Sequence, residues 1–107
     1  MATIVRGAHD RYVRRIKNVL DQYEQANPGA VADVFRRDTA CVWVRIVDAR
    51  FKRMKRGDRH DTVYDFLVEH LEDDTLQEIS VLLPLAPEEL SSSVMNAEFD
   101  DPVPSRF

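Results

Sequence analysis

One cysteine, three glycines and no long apolar run set the first limits on this sequence. Cys41 has no second thiol to pair with inside the chain. An internal disulfide and a cysteine-only metal site are therefore excluded, and a reducing compartment is expected. Gly7, Gly29 and Gly57 stand too far apart to form a glycine-rich phosphate loop. Nothing approaches the roughly 18 apolar residues of a membrane span. The opening MATIVRGAHDRYVRR has too short an apolar stretch for a secretion signal, so a cytoplasmic protein with no membrane partner is expected. No Ser-His-Asp or Cys-His arrangement can be assembled, and the acid pairs Asp73-Asp74 and Asp100-Asp101 read as solvated charge. The expectation is no enzyme and no cofactor.

What is present is ordinary globular material: 107 residues, 44% hydrophobic and 32% charged. That length suits one domain over residues 1–107, with a core at about 10–90 and a short helix and extended tail over 91–107. The net charge of −4 conceals a division. Residues 1–60 carry 14 Lys/Arg against 7 Asp/Glu, whereas residues 61–107 carry 1 against 12. Folding either presents these halves as a bipolar surface or interleaves them.

Tyr12, Ile16, Val19, Leu20 and Tyr23 fall at helical spacing and predict a helix over 10–25, stopped at Asn27 by Pro28 and turned by Gly29. Residues 31–37, VADVFRR, alternate imperfectly and suggest an edge strand. Residues 41–47, CVWVRIV, form a clear strand with Val42, Val44 and Ile46 on one face and Cys41, Trp43 and Arg45 on the other. Arg37-Asp38-Thr39 joins the two as a hairpin. Asp58 is a suitable N-cap for a helix over 59–71 with a stripe of His60, Val63, Tyr64, Leu67 and Leu71. Glu72-Asp73-Asp74-Thr75 breaks the stripe, and a further short helical turn after it precedes ISVLL at 79–83, which reads as a buried central strand. Pro87 opens a last short helix, and DDPVPSRF has no periodicity. The fold class is α+β: a two-layer α-β-β-α-(α)-β arrangement with a small three-stranded mixed sheet and helices on one face.

The chemistry concentrates at residues 50–59, where Arg50, Lys52, Arg53, Lys55, Arg56 and Arg59 form a basic loop running into a helix. These cations suit an acidic protein partner. They also suit nucleic-acid phosphates, with Phe51 and Trp43 available for stacking, or the acidic second half of the chain itself. His9, His60 and His70 form no compact ligand pattern.

The segment IVDARFKRMKRGDRHDTVYDFL resembles the central signature of BolA-like proteins through Phe51, Met54, Arg59, His60, Val63 and Tyr64. CVWVRIV and ISVLLPLAPEEL resemble that family's second and third strands, and the similarity spans roughly residues 12–90. The resemblance implies an α-β-β-α-α-β fold related to type II KH domains. It implies no catalysis, a monothiol glutaredoxin as partner in iron–sulfur handling and, in some members, DNA binding. It also implies a ligand near Cys41, with His60 as a further candidate. The sequence departs from the pattern at Arg53, where the family has glycine, at Asp61, commonly basic, and at Glu78, which replaces a histidine able to ligate a shared cluster. A carboxylate is the poorer ligand for an iron–sulfur centre. Arg56-Gly57-Asp58-Arg59 carries one glycine where a KH loop has two. The expectation is a binding module that meets a protein partner through residues 50–59. A nucleic-acid binder is the alternative, and an iron–sulfur adaptor the third reading.

Overall fold

The chain opens with a strand, β1 (Thr3–Arg6), in a computed structural model that describes residues 1–102. Gly7 then turns the backbone at φ +80°, where a Cβ would lie 2.9 Å from the carbonyl oxygen of Arg36. Only glycine fits that approach. Asp10 caps helix α1 (Arg11–Ala26), its Oδ1 accepting from the backbone N–H groups of Tyr12 and Val13 at 2.9 and 3.0 Å. Val13, Ile16, Val19, Leu20 and Tyr23 are buried on one side of α1, as their spacing predicts. The helix ends at Asn27, and Gly29 takes φ +96° in the turn.

Strands β2 (Val31–Asp38) and β3 (Cys41–Val47) form the expected antiparallel hairpin. The turn is tighter than Arg37-Asp38-Thr39: β2 runs through Asp38, whose Oδ1 accepts from the N–H of Ala40 at 2.9 Å. Strand β4 (Ile79–Leu85) lies parallel to β3, and β1 lies parallel to β2, giving the order β1-β2-β3-β4. Three expectations are corrected here. The sheet has four strands instead of three, β2 is interior instead of an edge, and β4 is an edge strand instead of a central one. The first two follow from β1, which covers the far side of β2 through residues remote in sequence; the third follows because β4 pairs with β3 alone.

Helix α2 (Arg56–His70) and the short α3 (Asp73–Leu76) follow β3. A helical turn before β4 is expected, but it occupies Asp73-Asp74-Thr75, the residues read as the break, with Glu72 at its N-cap. Helix α2 starts before Asp58, which lies in its first turn beside the positive end of the helix while Lys55 stands at the N-cap. Its buried stripe is Arg59, Val63 and Leu67, so Arg59 takes the inward position expected of His60, and Tyr64 is exposed. Helices α1 and α2 cover one face of the sheet, where Ala32, Val34, Val42, Val44 and Ile46 are fully buried.

The opposite face is covered too, which the one-sided expectation missed. The single helix expected from Pro87 is divided into a 3-10 turn (Pro87–Glu89) and helix α4 (Val94–Asp100). Ser93 caps α4 by accepting from the N–H of Asn96. Phe99 of α4 packs edge-on against Phe35 at 4.9 Å between ring centres, and both are buried. The Arg45 guanidinium lies 4.5 Å over the Phe99 ring and bonds Asp33, Asn96 and Asp100. Arg6 donates to the carbonyl oxygens of Phe99 and Asp100, satisfying the open end of α4. The packed structure thus reaches from Ala2 to Phe99, beyond the expected core of 10–90. Residues 103–107 of the expected tail lie outside the described residues. Among the described residues, no helix is long and apolar enough to cross a membrane.

Candidate partner-binding surface

The basic stretch is no loop. Asp48 accepts from the N–H of Arg50 and starts a 3-10 helix (Ala49–Arg53), held down by Phe51, whose side chain is buried in the main core. Met54 and Lys55 then lead directly into α2. Two rigid elements therefore carry the cations.

The six cations divide into two groups. Arg50 turns back on Asp48, with Nη2 2.6 Å from Oδ2, and also reaches Asn27. Burial alone would raise the Asp48 carboxyl, but the guanidinium and backbone N–H of Arg50 outweigh it and hold the group below its ordinary range. Lys52 stands 3.7 Å from Glu88. Arg59 is 5% exposed and grips both carboxylate oxygens of Glu89, while its Nε donates to the Met54 carbonyl. Glu89 also accepts from the N–H of Ala86, and its carboxyl sits below the usual range, first because of the Arg59 hydrogen bond. Arg53, Lys55 and Arg56 are exposed, and none of them forms an ion pair with a described residue. Three of the six cations thus meet acids of the chain itself, with only Arg59 buried, and three face outward without an ion pair to a described residue.

The charged halves of the sequence interleave. Arg36 pairs with Asp10 and Glu78, Arg45 with Asp100, Lys52 with Glu88 and Arg59 with Glu89. Pairs such as Arg36–Glu78, Arg45–Asp100 and Arg59–Glu89 therefore join cations of residues 1–60 to acids of residues 61–107.

Beside the three outward cations lies a cleft of about 280 Å³, between the first turns of α2, the end of β4 and the link to α4. Leu83, Pro84, Leu85 and Met95 form its apolar part, and Arg56 and His60 stand on the α2 side. His60 is exposed and stacks on Tyr64 at 5.9 Å. Sequence reasoning missed Met95, Ser92 and Ser93 here, because they come from a segment expected to be one continuous helix. The Pro87-Glu88-Glu89 turn was the available signal, since Glu89 has to meet a cation somewhere.

Cys41 and His60 are not brought together. Cys41 begins β3 opposite Asp38 of β2, one residue before the Val42–Ile79 pairing with β4, while His60 lies by Leu83 to Leu85 at the other end of the β3–β4 pair. Glu78 is engaged by Arg36 at 2.9 Å. No group of three or more metal-capable side chains occurs among the described residues. In comparisons with protein-family models, curated proteins and solved structures, nothing matches this chain.

Proposed function

We propose that this chain is a non-catalytic binding module with a BolA-like core, meeting a protein partner through Arg53, Lys55 and Arg56. The element order α1-β2-β3-α2-α3-β4 supports the BolA-like part of the reading, since it is the order the resemblance implies. The observation that carries the binding role is the division of the cations. Arg50 and Arg59 form close ion pairs with the chain's own acids and Lys52 stands near Glu88, whereas Arg53, Lys55 and Arg56, around the start of α2, form no ion pair with a described residue, Arg56 acting only at longer range on Glu89. Such a patch on ordered backbone favours an anionic surface and speeds encounter with it. The apolar cleft beside it favours protein over a bare phosphate backbone.

The test is capture from native lysate, with and without nuclease, comparing the wild-type chain with a triple Arg53→Glu, Lys55→Glu, Arg56→Glu variant. Captured proteins are identified by mass spectrometry, and purified monothiol glutaredoxin serves as a direct probe. A specific protein retained after nuclease and lost from the triple variant is the expected outcome. Capture abolished by nuclease transfers the surface to nucleic acid, and full capture by the variant removes the cations from the function.

A further inference from the structure

Helix α2 separates its charges around its circumference. At 100° per residue, Asp58, Asp61 and Asp65 lie about 140–200° round the helix from Arg56, whereas His60 lies only about 40° from it. The acids therefore face away from the cleft and the Arg56–His60 row borders it. The opposite wall is apolar, and it continues outward. Met95 is 40% exposed, and Val94 next to it is 83% exposed at the start of α4. Exposed apolar residues contiguous with an apolar cleft mark an interaction surface, and methionine adapts its shape to what it meets.

Two other kinds of occupant suit the cleft less well. At about 280 Å³ it lies at the lower end of the sizes, roughly 300–1,000 Å³, typical of pockets that enclose a whole small ligand. Strand addition along β4 is hindered beside the cleft. Leu85 turns its carbonyl toward β3, where it accepts from the Asp48 N–H at 3.0 Å, so the preceding Pro84 position faces the free edge and offers no N–H there. A side chain inserted from a segment lying across the cleft meets neither obstacle.

Resting on the protein-partner reading above, we infer that the cleft receives one apolar side chain of a partner's acidic segment. Leu83, Pro84, Leu85 and Met95 enclose the anchor, and carboxylates flanking it meet Arg56 and the neighbouring Lys55 and Arg53. The anchor supplies affinity and the charges set orientation and partner choice.

Selection of random dodecapeptides displayed on phage against the full chain reads this chemistry directly. The enriched sequences are expected to carry Leu, Ile, Met or Phe flanked by Asp or Glu. In fluorescence anisotropy with the best peptide, replacing its apolar residue by Ser and introducing Met95→Glu in the protein should each weaken binding about tenfold or more. Arg56→Glu should do the same and also flatten the salt dependence. Circular dichroism and thermal melting verify that each variant is folded, and Met95→Ser replaces Met95→Glu if the latter is not. Enriched acidic peptides without a fixed apolar position, or full affinity in the folded Met95 variant, overturn the cleft inference while leaving the cation reading intact. Enrichment of basic or uncharged sequences insensitive to Arg56→Glu, or no enrichment, overturns the inference. Only the first of these two also counts against the cations, which the capture experiment tests separately.

Discussion

Arg59 and Glu89, thirty residues apart, face each other fork to fork, with Nη1–Oε1 at 2.6 Å and Nη2–Oε2 at 3.0 Å. The pair fastens the first turn of α2 to the turn that follows β4 and forms the base of the cleft. Its cation is buried and its anion is partly in water, so the two partners are not equally replaceable.

Glu89→Ala leaves the Arg59 guanidinium buried with only the Met54 carbonyl. A loss of roughly 2–4 kcal/mol is expected, somewhat below the range of about 3–5 kcal/mol for a fully buried pair because the Glu89 side chain remains 30% exposed. Arg59→Lys should recover little, since an ammonium cannot reproduce the two parallel bonds. Urea unfolding of the three proteins checks this, and a Lys variant as stable as wild type would show that the fork geometry is unimportant.

Acid should weaken the fold in a defined window. The carboxyls of Glu89 and Asp10 are held below their ordinary values, chiefly by hydrogen bonds from Arg59 and Arg36. The unfolded chain therefore binds more protons as pH drops. The contribution is fully present above the unfolded values of about 4, and is lost as pH falls through the lower folded values. The urea midpoint should hold between about pH 7 and 5 and decline below about 4. Glu89→Gln should shallow that decline, and an unchanged slope would remove Glu89 as a cause.

Gly7→Ala should cost about 1–3 kcal/mol, because φ +80° strains any L side chain and the new methyl meets the Arg36 carbonyl at 2.9 Å. Gly29→Ala shares the unfavourable φ but meets no atom within 4 Å, and should cost less. Equal midpoints for the two variants would show that the contact with Arg36 relaxes freely.

Phe99→Ala should destabilise by about 3–5 kcal/mol, in the range for a buried aromatic. It empties the second face of the sheet against Phe35 while leaving the core beneath α1 and α2 untouched. Near-ultraviolet circular dichroism should register the change at Trp43, whose ring lies 5.7 Å from Phe35.

Arg53→Glu, Lys55→Glu and Arg56→Glu should each leave stability within about 0.5 kcal/mol, as exposed side chains without an ion pair do, Arg56 acting on Glu89 only at longer range. A larger loss would mean that these cations serve the fold.

The sequence makes α1, the β2–β3 hairpin and the inward face of β3 legible because their signals are local: an uninterrupted apolar period, a cap and a dense β-branched run. Strand neighbours are a different matter. The four residues of β1 read as unremarkable beside charged positions, yet they move β2 from the edge of the sheet to its interior. Likewise the apolar run ISVLLPL looks central, although β4 takes an edge. The candidate site shows the same limit. The cations at 50–59 are conspicuous as a cluster, but which are paired depends on Asp48, Glu88 and Glu89, two of them nearly forty residues downstream of Arg50. Only the folded arrangement separates Arg59 from Arg56.

The Arg6 contact with Phe99 spans 93 positions. The two ends of the described chain are thereby tied across one face of the sheet, and a chain cut before Phe99 would lose both the cover over Phe35 and the acceptor for Arg6.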